Sequence, residues 1–437
     1  MNALPPVQIF PPMPSHIGRL ALGDRILRKA LSEIVHIGNL LVCTARGVQM
    51  RFGDGTGARV SVRFMDRRAQ WAFLIDADMR LGELYMDGRF IVEEGNIYDF
   101  IALILREAQN ETHPLIARLI DGIRAKCRKI RIPNLPGRSR HNVAHHYDID
   151  GRLFALFLDE DRQYSCAYFE DQQDDLEEAQ AAKKRHLAAK LTLQPHHRVL
   201  DIGCGWGGLA RHLQRHVPQG EVLGITLSQE QLAYARAASG SCGPSFKLQD
   251  YRHLSGRFDR IVSVGMFEHV GPASYDTFFK TCSRLLEDDG VMLLHTIGCA
   301  AGPGFTTPWL DKYIFPGGYV PGLSEILPHI ESAGLRVADV EVLRLHYAFT
   351  LKIWRDRFMA RRSEAMKLCD ERFCRMWEFY LAAAEAAFRY EDLAVFQIQI
   401  TRRNNVLPIT RNYIGERKRA TGQFSIKVGT ALKIGRE

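Results

Sequence analysis

Apolar and polar positions alternate through Val48 to Phe64 (VQMRFGDGTGARVSVRF) around a D-G-T-G turn, which predicts a hairpin near the start of the chain. A short helical stretch near Asp66 to Leu74 follows, then a loop-and-strand region (LGELYMDGRFIVEEG) and a helix from Ile97 to about Ala108. Beyond His141 a helical pattern gives way to strands near Arg198 to Ile202, Glu221 to Ile225, Ser245 to Leu248, Asp259 to Val264 and Val291 to Thr296, with helical patterns between them. Such alternation predicts an α/β fold with a parallel sheet covered by helices on both faces. A long insertion rich in Gly, Pro and aromatics (CAAGPGFTTPWLDKYIFPGGYVPGLSEILPHIESAG) follows the fifth strand, and its aromatics are candidates for a pocket wall or lid. A sixth strand is expected near Leu335 to Leu343 and a closing seventh at Val395 to Arg403. Between them, a helix over Ser363 to Tyr390 places Phe373, Met376, Trp377, Tyr380, Leu381, Ala384 and Phe388 on one apolar face, a pattern shared by core packing and by a substrate wall.

These elements divide the chain into a loosely ordered segment (1–23), a small α+β domain (24–115), a basic linker (116–140) and a large domain (141–437). With 437 residues, 46% of them hydrophobic, two domains can each bury a core. The first residues (MNALPPVQIFPPMPSH) carry prolines and no apolar core of the signal-peptide kind, and FIALIL at Phe100 is too short to span a bilayer. Nine cysteines without C-x-x-C pairs fit reduced thiols and a cytoplasmic setting, with no disulfide framework or metal site. The net charge of +8 is uneven: Arg118 to Arg140 holds eight Lys or Arg against one Asp, a patch suited to a polyanion or an anionic membrane surface, or to a solvated helix and linker.

The chemistry concentrates at Arg198 to Leu213 (RVLDIGCGWGGLARHL), a strand entering a glycine turn and then a helix. Gly203, Gly205, Gly207 and Gly208 allow a sharp turn and close approach of a ligand. A dinucleotide-binding domain would end its second strand in Asp or Glu, whereas this one ends in Thr226. With Asp201 in the D-x-G-x-G-x-G spacing, the segment resembles the class I S-adenosylmethionine-dependent methyltransferases, whose sheet is Rossmann-like and seven-stranded.

Further segments narrow the resemblance. QYSCAYFED, VGMFEHVG, LLHTIG, KYIFPGGYVP and LHYAFTLKIW, spread over about residues 140 to 405, together resemble the cyclopropane-fatty-acid synthases and mycolic acid cyclopropane synthases. That resemblance implies an enzyme with a helical lipid-side insertion, which adds the methylene carbon of S-adenosylmethionine to a cis double bond of an unsaturated phospholipid acyl chain. It implies a carbocation on the chain, deprotonated by a bicarbonate held by Cys166, Glu268, His295, the backbone of Ile297, and Tyr347. Glu268 and His295 would pass the proton onward, Tyr347 would offer a hydroxyl and its ring face, and Cys166 would not act as a nucleophile. His145 and His146, before Tyr147, would begin a helix over the cofactor, without a proton role.

For the cofactor, the resemblance assigns Tyr164 and Ser165 to the methionine carboxylate, Gly203 and Gly205 to the methionine and ribose, Thr226 and Gln231 to the ribose, and Asp250 and Tyr251 to the adenine, with Asp201 and Cys204 in the same turn.

Three competing functions remain open at this level. A C-methyltransferase would resolve the cation to a methyl-branched or methyl-alkene chain. A nucleic-acid methyltransferase is disfavoured, since there is no N-P-P-Y loop and no P-C pair and FEHV stands where the former would lie. A catalytically silent lipid-binding protein would leave the cofactor residues without purpose. The basic segment suggests peripheral attachment to the inner membrane surface, and the amino-terminal domain is a candidate for presenting lipid or for homodimerisation.

Overall fold

A computed structural model describes residues 20–108, 151–240, 243–303 and 306–420. The basic segment 118–140, the residues before 20 and His145 to Tyr147 lie outside the described residues. The chain divides into two units, one ending at His113 and the other beginning at Pro114.

In the first unit, strands β1 (Asn39–Cys43), β2 (Gln49–Phe52), β3 (Arg59–Phe64) and β4 (Phe90–Glu94) form a sheet of order β2-β1-β3-β4. The expected hairpin across D-G-T-G does not form: β1 lies between β2 and β3, antiparallel to the first and parallel to the second. The turn instead closes on β1's approach, where Asp54 Oδ1 accepts from the amides of Gly38 (2.9 Å) and Thr56 (3.0 Å). Alternation identified the strands, but the partner of each is a long-range choice. The region read as loop and strand is a helix, Ala77–Met86, followed by β4. Asp66 caps the helix Arg67–Ile75 by accepting from Ala69 N at 2.9 Å and also receives both arms of Arg89 at 2.8 Å. Phe64, Phe90 and Phe100 run through the core with ring centroids 5.1 to 5.2 Å apart.

In the second unit, β5 (Arg198–Ile202), β6 (Glu221–Thr226), β7 (Ser245–Leu248), β8 (Phe258–Val264), β9 (Leu286–Cys299), β10 (Arg336–Leu343) and β11 (Leu393–Thr401) form one sheet of order β10-β11-β9-β8-β5-β6-β7. Strands β5 to β9 are parallel neighbours. The sheet is not wholly parallel: β11 enters between β9 and β10 and runs antiparallel to both. Parallel central strands bury both faces, so Leu200, Ile202, Ile261, Met292 and Leu294 join the core on one side and Val199, Val262 and Leu293 on the other. The expected single helix over Ser363 to Tyr390 is two, Arg362–Leu368 and Glu371–Tyr390, separated where Asp370 caps the second by accepting from Phe373 N at 2.7 Å.

The helix Leu176–Lys190, which precedes β5, shows no apolar stripe. On one of its faces Lys183, His186 and Lys190, spaced at three and four, are all buried. It starts in a capping box, with Asp175 and Glu178 each accepting from the other's amide.

Candidate functional site

The glycine turn after β5 is built by backbone geometry. Gly203 (φ +81°) and Gly205 (φ +53°) occupy the left-handed region. A Cβ on Gly203 would come within 2.7 Å of Met266, while at Gly205 it would meet nothing within 4 Å. The amides of Gly203 and Cys204 both donate to Ile225 O, at 2.9 and 3.0 Å, which ties the turn to the end of β6. Beyond the carboxyl ends of β5, β6 and β8 lies a cavity of about 140 Å³. Its wall includes Tyr164, Ser165, Asp201, Gly203, Cys204, Gly205, Thr226, Gln231, Asp250 and Tyr251, all ten cofactor candidates.

Several of these side chains are held in place by one another. Thr226 donates its hydroxyl to Gln231 Oε1 at 2.9 Å and accepts from Ser228 N at 3.2 Å. Asp250 receives Arg252 Nε at 2.9 Å and Nη2 at 2.6 Å. Burial pushes the Asp250 carboxyl up, but these hydrogen bonds outweigh it and hold it below its ordinary value. Asp201 Oδ2 is buried with no hydrogen-bond partner, and burial raises that carboxyl to about 7 against the opposing pull of Lys183. An orphaned acceptor and an open glycine cradle on one cavity wall fit a ligand that brings donors, such as the ammonium of a methionine moiety.

Sequence reasoning missed Arg162 on this wall and Lys183, which bonds to its Ser165. Arg162, at φ +53°, lays its guanidinium over Tyr234 (4.2 Å) and Trp206 (5.0 Å), and it lines the cavity. Lys183, fully buried, donates to Ser165 Oγ at 2.8 Å, and burial lowers its ammonium to about 7. The signal for Lys183 was its place in the helix, two turns before a second buried lysine, Lys190.

None of Cys166, Glu268, His295, Ile297 and Tyr347 borders the cavity itself. They adjoin it. Cys166 follows Ser165, Glu268 stands between the wall residues Met266 and His269, and the wall residue Gly265 donates its amide to His295 O at 2.9 Å. Two of the five meet directly, since Ile297 N donates to Glu268 Oε1 at 2.6 Å. The amide assigned to an anion is thus engaged by Glu268, so an anion reaches it only by displacing that carboxyl. Glu268 Oε2 and His295 Nε2 are both buried without a hydrogen-bond partner. Burial raises Glu268 and drives His295 well below its ordinary value, with Lys183 and Lys190 adding to the latter effect. A neutral imidazole and a carboxyl whose proton affinity burial raises, each with one polar atom to spare, fit a small oxyanion such as bicarbonate. Cys166 is sealed, and burial pushes its thiol up, which removes thiolate chemistry.

Aromatic rings join these groups. Tyr347 packs on Trp354 (5.8 Å, edge-on) and Phe388 (4.8 Å), and Trp354 stacks on Tyr164 (5.2 Å). Tyr164 shares a 2.9 Å hydroxyl contact with Tyr380, whose ring meets Phe315 of the insertion at 5.7 Å. The insertion also reaches the carboxylate loop, since Tyr319 N donates to Glu268 O at 3.0 Å. An apolar, aromatic enclosure of this kind excludes water and favours cations.

Residues 136–398 match the profile of the family described as mycolic acid cyclopropane synthetase. The chain is 40% identical over 331 residues to the cyclopropane-fatty-acyl-phospholipid synthase of Escherichia coli, an alignment covering 75% of this chain and 84% of the relative. Over 430 residues, 91% of this chain and 95% of the relative, it is 32% identical to a tuberculostearic acid methyltransferase of Mycobacterium tuberculosis. Among solved structures, a mycolic acid cyclopropane synthase complexed with SAH and CTAB superposes with a TM-score of 0.56 at 35% identity, over 60% of this chain and 97% of the other.

Proposed function

Because the chain belongs to the mycolic acid cyclopropane synthetase family and is an enzyme of the S-adenosylmethionine-dependent methyltransferase class, we propose that it closes cyclopropane rings on unsaturated phospholipid acyl chains. The observation that carries this reading is the Glu268 carboxyl beside the cofactor cavity, with Oε1 clamped by Ile297 and Oε2 buried without a partner. A transferase that methylates oxygen or nitrogen loses the acceptor's own proton readily, whereas addition to an alkene carbon leaves an excess proton on a greasy chain. A buried proton acceptor next to the cavity answers that need.

S-adenosylmethionine, when bound, supplies an electrophilic methyl group. The ten wall residues would hold it, Asp201 and Asp250 as acceptors and Thr226 and Gln231 toward the ribose. Glu268 and His295, with Cys166, Tyr347 and the Ile297 backbone around them, would hold bicarbonate as the proton acceptor. The rings of Tyr347, Trp354 and Tyr164 would keep water from the cationic chain. The phospholipid carrier is supported by the 40% identity to the Escherichia coli enzyme.

A second reading has its own support. The tuberculostearic acid methyltransferase is similar across nearly the whole chain, both units included, which favours a C-methyltransferase that leaves a methyl branch. Mass spectrometry of lipids from cells lacking such enzymes but expressing this chain separates the two. Addition of CH2 with loss of the double bond is the expected result; the same mass with the double bond retained in a methyl- or methylene-branched chain, or a mass two hydrogens higher where a cellular reductant has saturated that branch, would establish the second reading, and no added carbon would refute both.

To reach acyl chains the enzyme would attach peripherally to an anionic membrane surface through the basic segment 118–140, with the first unit as a lipid-associated or dimer-forming domain. No helix among the described residues is long and apolar enough to cross a membrane. Reversing four charges between Arg124 and Arg140 is expected to weaken binding to anionic vesicles and leave binding to neutral ones unchanged; equal loss on both would count against the attachment.

A further inference from the structure

Strand pairing lines up three polar side chains across the sheet. Gln397 of β11 stands opposite His295 of β9 on one side and opposite Glu341 of β10 on the other. The buried basic face of the helix Leu176–Lys190 lies against this row. Lys190 Nζ donates to Gln397 Oε1 at 2.9 Å and to Glu341 Oε2, and His186 Nε2 meets Glu341 Oε2 at 2.7 Å. Gln397 Nε2 lies 3.2 Å from His295 Nδ1.

The donor and acceptor inventory leaves one assignment. An ammonium has only donors, so the end of the Gln397 amide facing Lys190 is its oxygen and the end facing His295 is its NH2. An amide NH2 only donates, so His295 Nδ1 accepts. In a neutral ring the single proton then sits on Nε2, the buried nitrogen that has no partner. The electrostatics agree. Burial works against a charge on Glu341, but the His186 hydrogen bond and the Lys190 ammonium outweigh it and hold the carboxyl far below its ordinary value, so Lys190 faces an anion. Burial, with Lys183 and Lys190 nearby, keeps His295 neutral.

We propose that Gln397, itself oriented by Lys190, is a positioning residue that fixes His295 in its Nε2–H tautomer, making His295 a hydrogen-bond donor to the bound anion and not a base. The inference rests on the proposed role of His295 at the anion site. It leaves Glu268 as the side chain able to take over the proton that bicarbonate has accepted from the chain. The chain Glu341, Lys190, Gln397, His295 passes orientation inward from a partly exposed carboxylate to a sealed imidazole. It does not pass protons, because an amide is a poor relay.

The full-length protein labelled with 15N-histidine tests this by long-range 1H–15N correlation at neutral pH, with H295N assigning the signal. The wild type is expected to show a protonated Nε2 and an unprotonated Nδ1. Gln397→Glu keeps the size and the Lys190 contact but presents only acceptors, and it is expected to move the proton to Nδ1. The same variant is expected to lower kcat at least tenfold with the KM for S-adenosylmethionine unchanged, while Gln397→Met gives mixed tautomers and an intermediate kcat. A wild-type ring protonated on Nδ1 or on both nitrogens would overturn the proposal, and so would an unchanged tautomer or an unchanged kcat in Gln397→Glu. The NMR measurement needs no substrate, so a correct tautomer in a protein that adds no carbon to lipid would count against the proposed reaction and not against the tautomer.

Discussion

Replacing Glu268 by glutamine keeps its volume and lets an amide oxygen accept from Ile297 N, but removes the capacity to hold and release a proton. General acid–base groups contribute about 10²- to 10⁴-fold, so E268Q is expected to lose at least a hundredfold in methylene transfer. Binding of S-adenosylmethionine, measured by calorimetry, is expected to stay within about twofold, because Glu268 is not on the cofactor wall. An E268Q enzyme as fast as wild type would exclude the carboxyl from proton handling. At this scale the ten cofactor candidates that share the cavity wall were legible through short motifs; those from Asp201 to Tyr251 lie at or after the carboxyl ends of the strands β5, β6 and β7, whereas Tyr164 and Ser165 stand apart from any strand. Arg162, Lys183 and Gln397 were not. A left-handed arginine over two rings, a lysine inside a helix and a glutamine inside a strand have no local pattern, and their meaning comes from partners 18 to more than 100 positions away.

Elements were legible where burial imposes a period. The five parallel strands of the second unit announced themselves as apolar runs, and their spacing gave the fold class before any partner was known. Pairing was harder. The strands flanking D-G-T-G alternate as a hairpin would, yet β1 separates them, because Gly38 and Asp54 bring an earlier segment into the gap. The break at Asp370 was masked by an apolar face that continues across it, although an aspartate three residues before Phe373 is a start signal. The helix Leu176–Lys190 shows the opposite case: it buries charge where periodicity expects oil. Its buried lysines are tolerated because Ser165 meets Lys183 and both Gln397 and Glu341 meet Lys190, so removing the Ser165 hydroxyl, or both partners of Lys190, would strand a buried amine.

For the whole molecule, histidines desolvated by their surroundings, His197 and His295 buried and His212 and His269 partly so, set an acid limit. His295 and His212 are driven well below the ordinary 6.5, and His197 and His269 fall to about 4, in each case chiefly through burial. A histidine whose folded pKa is depressed stays neutral while the unfolded chain takes up a proton, so stability is present above 6.5 and is lost as the pH falls from 6.5 toward the folded value. Each such group costs about 1.4 kcal/mol per pH unit across that window. Thermal unfolding at pH 7.5, 6.5, 5.5 and 4.5 is expected to show a midpoint that holds at first and then falls steadily; a midpoint independent of pH between 6.5 and 4.5 would contradict the burial of these rings.

The position of β11 also bears on how the protein is made. It is the last strand of the sheet in chain order, yet it fills a slot between β9 and β10, so both present open edges until Leu393–Thr401 has been synthesised and inserted. Gln397 arrives with that strand. On the ribosome, the step that seals the sheet is therefore also the step that brings Gln397 to His295, and a nascent or prematurely terminated chain lacking β11 holds the cofactor turn without that contact.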